Sequence, residues 1–232
     1  MRSKSIQNPS TLRTHYKRQL PHVQPIGAAF FVTFRLAGSI PKMVLEHLKI
    51  GYRIKIEKCK LIKLEHEKNL QIFNLRKKYI RDLDDLLHEI EAGPHYLKHH
   101  EIMKIVEDVL KRFDGEFYDL ICYCIMSNHV HVLIDTQLQL NTEYNDEQLD
   151  LNYIPLETIM KRIKGATAVY SNRELDRSGQ FWERESYDIY IRNEKMMDNV
   201  IGYILDNPVK AGIVDKWRLY PGNYYKYDSN TA

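Results

Sequence analysis

The stretch from Phe117 to Asp135 reads FYDLICYCIMSNHVHVLID, two apolar runs rich in β-branched and aromatic residues, separated by the polar pair Ser127-Asn128. This pattern predicts a tight antiparallel hairpin, with one strand over 117–126 and its partner over 129–135. Side chains alternate across a strand, so His129 and His131 share one face while Val130, Val132 and Ile134 point into a core. Two neutral imidazoles side by side can hold one divalent ion. A His-x-His pair taken alone is more often two surface histidines on a half-exposed strand, because a metal site needs a third ligand. The rest of the chain has to decide between the two readings.

Outward from this hairpin the elements fall into an order. Ala28 to Leu36 is an apolar strand closed by Gly38 and Pro41. From about Met43 to Glu91 the pattern is charged and helical, with Leu61, Leu64, Ile72, Leu75, Ile80, Leu83, Leu86 and Leu87 as apolar positions, and it stops at Gly93-Pro94. Its opposite charges nearly cancel, so it reads as an inserted, solvated helical hairpin rather than a DNA-binding face. Lys98 to Phe113 is an amphipathic helix with Ile102, Ile105, Val106, Val109 and Leu110 inward. After the hairpin come a polar acidic loop over 141–152, a helix from Pro155 to about Asn172, and a last strand over Tyr187–Ile191. Met196, Met197, Val200, Ile201, Ile204 and Leu205 then mark a short amphipathic helix that stops at Pro208. Strand, helix, strand, strand, helix, strand predicts an α+β fold: a ferredoxin-like split βαββαβ antiparallel sheet with helices on one face, a long helical insertion, and a C-terminal helix.

That last helix carries Tyr203 and Asn207 four residues apart, on one face, with Lys210 following. It therefore offers a phenol nucleophile and an amide-oxygen ligand together. Two readings of Asn207 stay open, metal ligand and helix C-terminal cap, because the residue before a proline is biased away from helical geometry. Lys210 either stabilises phenolate or leaving-group charge or meets the carbonyl end of the helix.

The chain resembles the REP-associated tyrosine transposases, a branch of the single-tyrosine transposases within the HUH nuclease superfamily. The resemblance spans most of its length. It rests on Leu20-Pro21-His22 and Phe30-Phe31-Val32-Thr33-Phe34-Arg35-Leu36, on Met126-Ser127-Asn128-His129-Val130-His131, and on Gln180-Phe181-Trp182-Glu183, Ile191-Arg192-Asn193 and Asn207-Pro208-Val209-Lys210-Ala211-Gly212. It implies the same split ferredoxin-like fold and metal-assisted cleavage and rejoining of single-stranded or hairpin DNA by a tyrosine that becomes joined to the 5′ phosphate. By motif, His129, His131 and Asn207 are the implied ligands of Mg²⁺ or Mn²⁺, and Tyr203 is the implied nucleophile. Val130 departs from the bulky middle residue in the superfamily name, yet a β-branched residue suits a buried strand face. Two rival functions are a non-catalytic nucleic-acid-binding module on this fold and a metal-dependent phosphodiesterase in which water attacks. The joint presence of His129, His131 and Tyr203 favours the strand transferase over the idle module.

Composition agrees without deciding. A chain of 232 residues and 27.6 kDa suits a single domain over 1–232, with an insertion at about 43–93 and a basic N-terminal arm at 1–20. A formal charge of +3 and a pI near 8.6 are only mildly basic, although Arg2, Lys4, Arg13, Lys17 and Arg18 open the chain with no acid among them. Arg13, Lys17, Arg18, Lys161, Arg162, Lys164, Arg184, Arg192 and Lys210 are the candidate phosphate contacts. Tyr224, Tyr225 and Tyr227 interleave with Lys226 as base-stacking or packing groups, whereas Trp217 and Tyr220 read as packing, and Phe181 and Trp182 as anchors of the loop before the last strand. Cys59, Cys122 and Cys124 lack Cys-x-x-Cys spacing, and reduced thiols in a cytoplasm are expected. No apolar run suits a membrane span or secretory signal. Monomer and homodimer are both compatible with the chain.

Overall fold

A computed structural model describes residues 13–17, 21–140 and 153–228. The chain divides into two compact units, one ending at Arg35 and resuming at Tyr96, the other spanning Leu36–His95. The first unit opens with an antiparallel pair, β1 (Arg13–Lys17) and β2 (Pro21–Pro25). Its centre is a sheet of β3 (Ala29–Leu36), β4 (Asp119–Ile125), β5 (His129–Asp135), β6 (Trp182–Tyr190) and β7 (Asn223–Tyr225), ordered β6-β3-β5-β4-β7. The first four are the strands of the split βαββαβ pattern, and β3 lies between β6 and β5 because the crossover helices carry the chain past its neighbours. The fold is thus the mixed antiparallel α+β architecture that the element order predicts.

The β4–β5 hairpin closes as its sequence demands, with the Met126 amide donating to the His129 carbonyl at 2.9 Å across Ser127-Asn128. Its register places Val130 opposite Phe34 and Ile125, and His131 opposite Thr33 and Cys124. One sheet face therefore carries Val130, Val132, Ile134, Phe30 and Phe34, all without solvent exposure. Burying each contributes about 1.5–3 kcal/mol relative to exposure.

Two helices cover this face, α3 (His100–Arg112) and α4 (Leu156–Glu174). Tyr118 ties α3 down by donating its hydroxyl to the Leu110 carbonyl at 2.8 Å. Trp182 ties α4 down: its indole packs edge-on to Phe34 at 4.8 Å and donates to Thr167 Oγ1 at 2.7 Å. The opposite face, which carries the imidazoles, receives α5 (Glu194–Leu205), whose Tyr203 lies against Phe31 and His131. Asn193 caps α5, its side chain accepting from the Met196 amide.

Several boundaries differ from the sequence reading. The last strand starts at Trp182 rather than Tyr187, so Trp182 is a strand residue and not a loop anchor. Glu183, Arg184 and Glu185 conceal the strand because an edge strand tolerates charge that a central one does not. Tyr224 and Tyr225 belong to β7, where Tyr224 stacks on Tyr123 at 5.2 Å. Pro208 does not end the helical path. Helix α5 caps at Asp206, and Asn207 opens a further turn, α6 (Asn207–Lys210), with proline in the first-turn position that needs no amide hydrogen.

The second unit is a helical pair, α1 (Lys42–Cys59) and α2 (Glu65–Glu89). Leu45, Tyr52 and Cys59 bury the inner side of α1, and Tyr52 meets Tyr79 of α2 with ring centroids 4.8 Å apart. Leu61 and Leu64, read as apolar positions of the pattern, lie instead at the connection and are 82% and 63% exposed. Among the described residues, no helix is long and apolar enough to cross a membrane.

Candidate functional site

Strand alternation puts Phe31, Thr33 and Arg35 of β3 on the same face as His129 and His131 of β5. Both imidazoles are fully buried, with ring centroids 4.7 Å apart and planes inclined at 73°. Their Nε2 atoms converge at 3.2 Å. Each Nδ1 faces an oxygen: His129 Nδ1 lies 2.7 Å from Asn128 Oδ1, and His131 Nδ1 lies 2.8 Å from Thr33 Oγ1. Tyr203 is half-buried, its ring 5.6 Å from His131 and 5.8 Å, edge-on, from Phe31.

The backbone after Tyr203 explains where Lys210 goes. Helix α6 ends in a Schellman turn: the Gly212 amide donates to the Val209 carbonyl and the Ile213 amide to that of Pro208, both at 2.9 Å. Gly212 sits at φ +67°, which a side chain resists. This turn holds the last helical residue, Lys210, so that its ammonium lies 4.5 Å from the centre of the Tyr203 ring. Asn207 is 1% exposed, on the turn after Tyr203.

His129, His131, Tyr203 and Lys210 are thus brought together on one side of the sheet. The other candidates lie elsewhere. Lys161, Arg162 and Lys164 project from α4, on the opposite side. Lys161 pairs with Glu157 at 2.9 Å, and the Arg162 guanidinium sits 4.6 Å over the Phe117 ring. Lys164 spends three N–H donors on the Glu183 and Arg184 carbonyls and Ser186 Oγ, which fastens α4 to β6. A cavity of about 810 Å³ between α4 and β6 gathers Lys161, Lys164 and Arg184, but also Glu157, Glu183, Glu185 and Asp188, so its charge is mixed. Arg192 is exposed above the Tyr190 ring, at 5.0 Å. Arg13 and Lys17 belong to β1, and Arg18 lies outside the described residues.

Three residues on the imidazole face escaped the sequence reading as site residues: Thr33, Asn128 and Arg35. Arg35 stands opposite His129 in the β3–β5 register, is 1% exposed, and reaches Glu183 Oε2 with Nη2 at 3.3 Å. A cation inside an otherwise apolar strand was the available signal, since a buried guanidinium needs a counter-charge.

Burial pushes the Tyr118 and Tyr123 phenols well above their ordinary range, with Asp114 adding to the first and Glu107 to the second. Burial likewise raises Tyr220.

Fold and side chains together define a class: a split ferredoxin-like antiparallel domain with a paired-histidine strand and a tyrosine-bearing helix packed on the same face. No family model matches the chain. A curated relative from Haemophilus influenzae, which carries the provisional name REP-associated tyrosine transposase, is 25% identical over 111 residues. The match covers 48% of this chain and 61% of the relative, so the chain spans less than two thirds of that protein. A solved structure described as a REP-associated tyrosine transposase bound to a REP hairpin is 14% identical, with a TM-score of 0.47, over 90% of this chain and 81% of that one. The chain is therefore similar in sequence to a REP-associated tyrosine transposase, the family that its motifs resemble.

Proposed function

We propose that this protein is a metal-dependent single-stranded DNA transposase or endonuclease that cleaves and rejoins hairpin-associated DNA through a 5′-phosphotyrosine on Tyr203. The observation that carries the reading is the convergence of two imidazole Nε2 atoms, 3.2 Å apart, beside the Tyr203 ring. The similarity to a REP-associated tyrosine transposase supports the substrate class.

The donor set suits a divalent ion. Two buried imidazole nitrogens that converge at 3.2 Å on one sheet face would be placed to share a single ion. In this reading His129, His131 and Asn207 would hold Mg²⁺ or Mn²⁺, which would supply positive charge against the negative charge that builds on a phosphodiester in the transition state.

The chain's own residues do the rest. The Tyr203 oxygen forms a bond to phosphorus as the bond from phosphorus to O3′ breaks. The phenolic proton passes to solvent, the departing O3′ takes one up, and the 5′ phosphate stays on the tyrosine. Rejoining is the same exchange with a 3′ hydroxyl attacking the phosphotyrosine, so phosphodiester bonds are conserved and no external energy source is required. Lys210 places a positive charge beside the phenol as it sheds its proton. Phe31 and His131 hold the ring against the sheet.

The test is a covalent one. Incubated with single-stranded hairpin DNA and Mg²⁺ or Mn²⁺, the protein should give a protein–DNA band on a denaturing gel. Tyr203→Phe removes only the hydroxyl, so it should still bind the hairpin and give no band. The double variant His129→Gln, His131→Gln, which keeps most of the buried volume, should lose cleavage, with circular dichroism to check that it stays folded. An adduct in Tyr203→Phe, or one mapped to another tyrosine, rejects the assignment. Cleavage by Tyr203→Phe without an adduct puts water in the nucleophile's place.

A further inference from the structure

We propose that Asn128 and Thr33 are positioning residues that fix the tautomer and the aim of the two imidazoles, so that both Nε2 lone pairs point at one cation. The inference rests on the metal reading of His129 and His131 but concerns two residues to which the motifs assign no role.

A carbonyl oxygen can only accept a hydrogen bond. At 2.7 Å from Asn128 Oδ1, His129 Nδ1 must therefore carry the ring proton, which leaves Nε2 with its lone pair. The Thr33 hydroxyl can donate or accept, and at 2.8 Å it can take the proton of His131 Nδ1 in the same way. Both oxygens are held by the sheet rather than by flexible chain. Thr33 is the direct register partner of His131 across β3 and β5, is 1% exposed, and is β-branched, so its side chain has few rotamers. Asn128 is also 1% exposed and occupies the two-residue turn that β4 and β5 close.

The two contacts act on the same geometry from opposite sides. With Nδ1 of each ring anchored on its own oxygen, the rings are inclined at 73° and their Nε2 atoms are driven to 3.2 Å. Without the anchors, each ring loses the contact that selects its Nδ1–H tautomer. A histidine in the Nε2–H form cannot ligate through that atom, so each lost anchor removes ligand-ready population. Outer hydrogen-bond partners of ligating histidines commonly change metal affinity by about 10–100-fold when removed.

The experiment uses the full chain and two readouts. Free Mn²⁺, followed by its electron paramagnetic resonance signal, gives the affinity. Imidazole ¹⁵N spectra of the metal-free protein give the tautomer. Thr33→Val and Asn128→Ala should each weaken Mn²⁺ binding by roughly 10–100-fold. Thr33→Ser and Asn128→Asp, which keep an acceptor oxygen, should restore most of it. In the unmodified protein His129 should appear as the Nδ1–H tautomer, and in Asn128→Ala as a mixture. A rescue by serine that valine does not match separates aim from folding. Unchanged Mn²⁺ affinity in Thr33→Val and Asn128→Ala, or an Nε2–H tautomer of His129 in the unmodified protein, overturns the proposal while leaving the metal reading intact. Equal affinity in the unmodified protein and in the His129→Gln, His131→Gln variant overturns both.

Discussion

Arg35 is the residue that most rewards attention outside the imidazole pair. Its side chain is among the largest removed from water in the described chain, and it lies on the imidazole-bearing side of the sheet. Taking such a charge from water is tolerated only with a hydrogen-bonded partner, and Glu183 supplies one at 3.3 Å. Glu183→Gln keeps the shape and an acceptor but removes the countercharge. Because the carboxylate is 31% exposed, the loss should be about 1–2 kcal/mol rather than the larger cost of a fully buried broken pair. Urea unfolding measures it, and an unchanged midpoint would show that solvent already screens the pair. At this scale the sequence was legible where a local rule applies. Strand period two placed His129 and His131 on one face, and helical spacing put Tyr203 on one face with Asn207, while its place beside the histidines was implied only by the family resemblance. Thr33 and Arg35 were illegible as site residues because their partners are set by cross-strand register, which no local spacing encodes, whereas Asn128 meets its own neighbour His129 but reads in the sequence only as a turn residue.

The C-terminal helical path shows how an element boundary controls side-chain placement. Pro208 looks like a stop signal in the sequence, yet the chain makes one more turn from Asn207 to Lys210 and is closed by Gly212. That turn brings the Lys210 ammonium over the Tyr203 ring. In Gly212→Ala the new methyl group meets nothing within 4 Å, so the penalty is conformational alone. It arises because φ +67° crowds a β-carbon against the backbone, at a cost of about 1–2 kcal/mol. The variant should be destabilised by that amount in urea unfolding and should form the tyrosine adduct more slowly, as the turn carrying Lys210 loosens. Full adduct rate with the expected stability loss would separate Lys210 from the chemistry. Elements with a strong period, such as α3, α4 and α5, were readable in advance. The short β7 and the charged start of β6 were not, because three residues show no period and an edge strand need not alternate.

Over the whole molecule, the sheet separates two kinds of surface. One face, under α3 and α4, is packed with apolar side chains and phenols; the other holds the imidazoles, Arg35 and Tyr203. The order of elements made the antiparallel ferredoxin-like arrangement legible, since crossover rules leave few ways to lay out these strands and helices. The phenols of the packed face make a prediction about alkaline stability. Tyr118 and Tyr123 are at most 2% exposed, and burial raises both, with Asp114 and Glu107 opposing ionisation further. Tyr118 also donates its hydroxyl to the Leu110 carbonyl, a bond that phenolate cannot make. In the unfolded chain these groups ionise near their reference value of about 10. A group whose folded value is raised contributes stability that is fully present below the unfolded value and is lost as pH rises above it. The urea midpoint should therefore hold steady through weakly alkaline pH and fall above about pH 10, each such phenol adding up to about 1.4 kcal/mol per pH unit to the slope. Lysines lose their charge in the same range, so the comparison that isolates the phenols is Tyr118→Phe. This variant should be less stable at neutral pH, through its lost hydrogen bond, and should show a shallower alkaline decline. Tyrosinate absorbance should rise in step with unfolding for the buried phenols. An unaltered slope in Tyr118→Phe, or tyrosinate formation complete before unfolding begins, would reject a buried, protonated Tyr118.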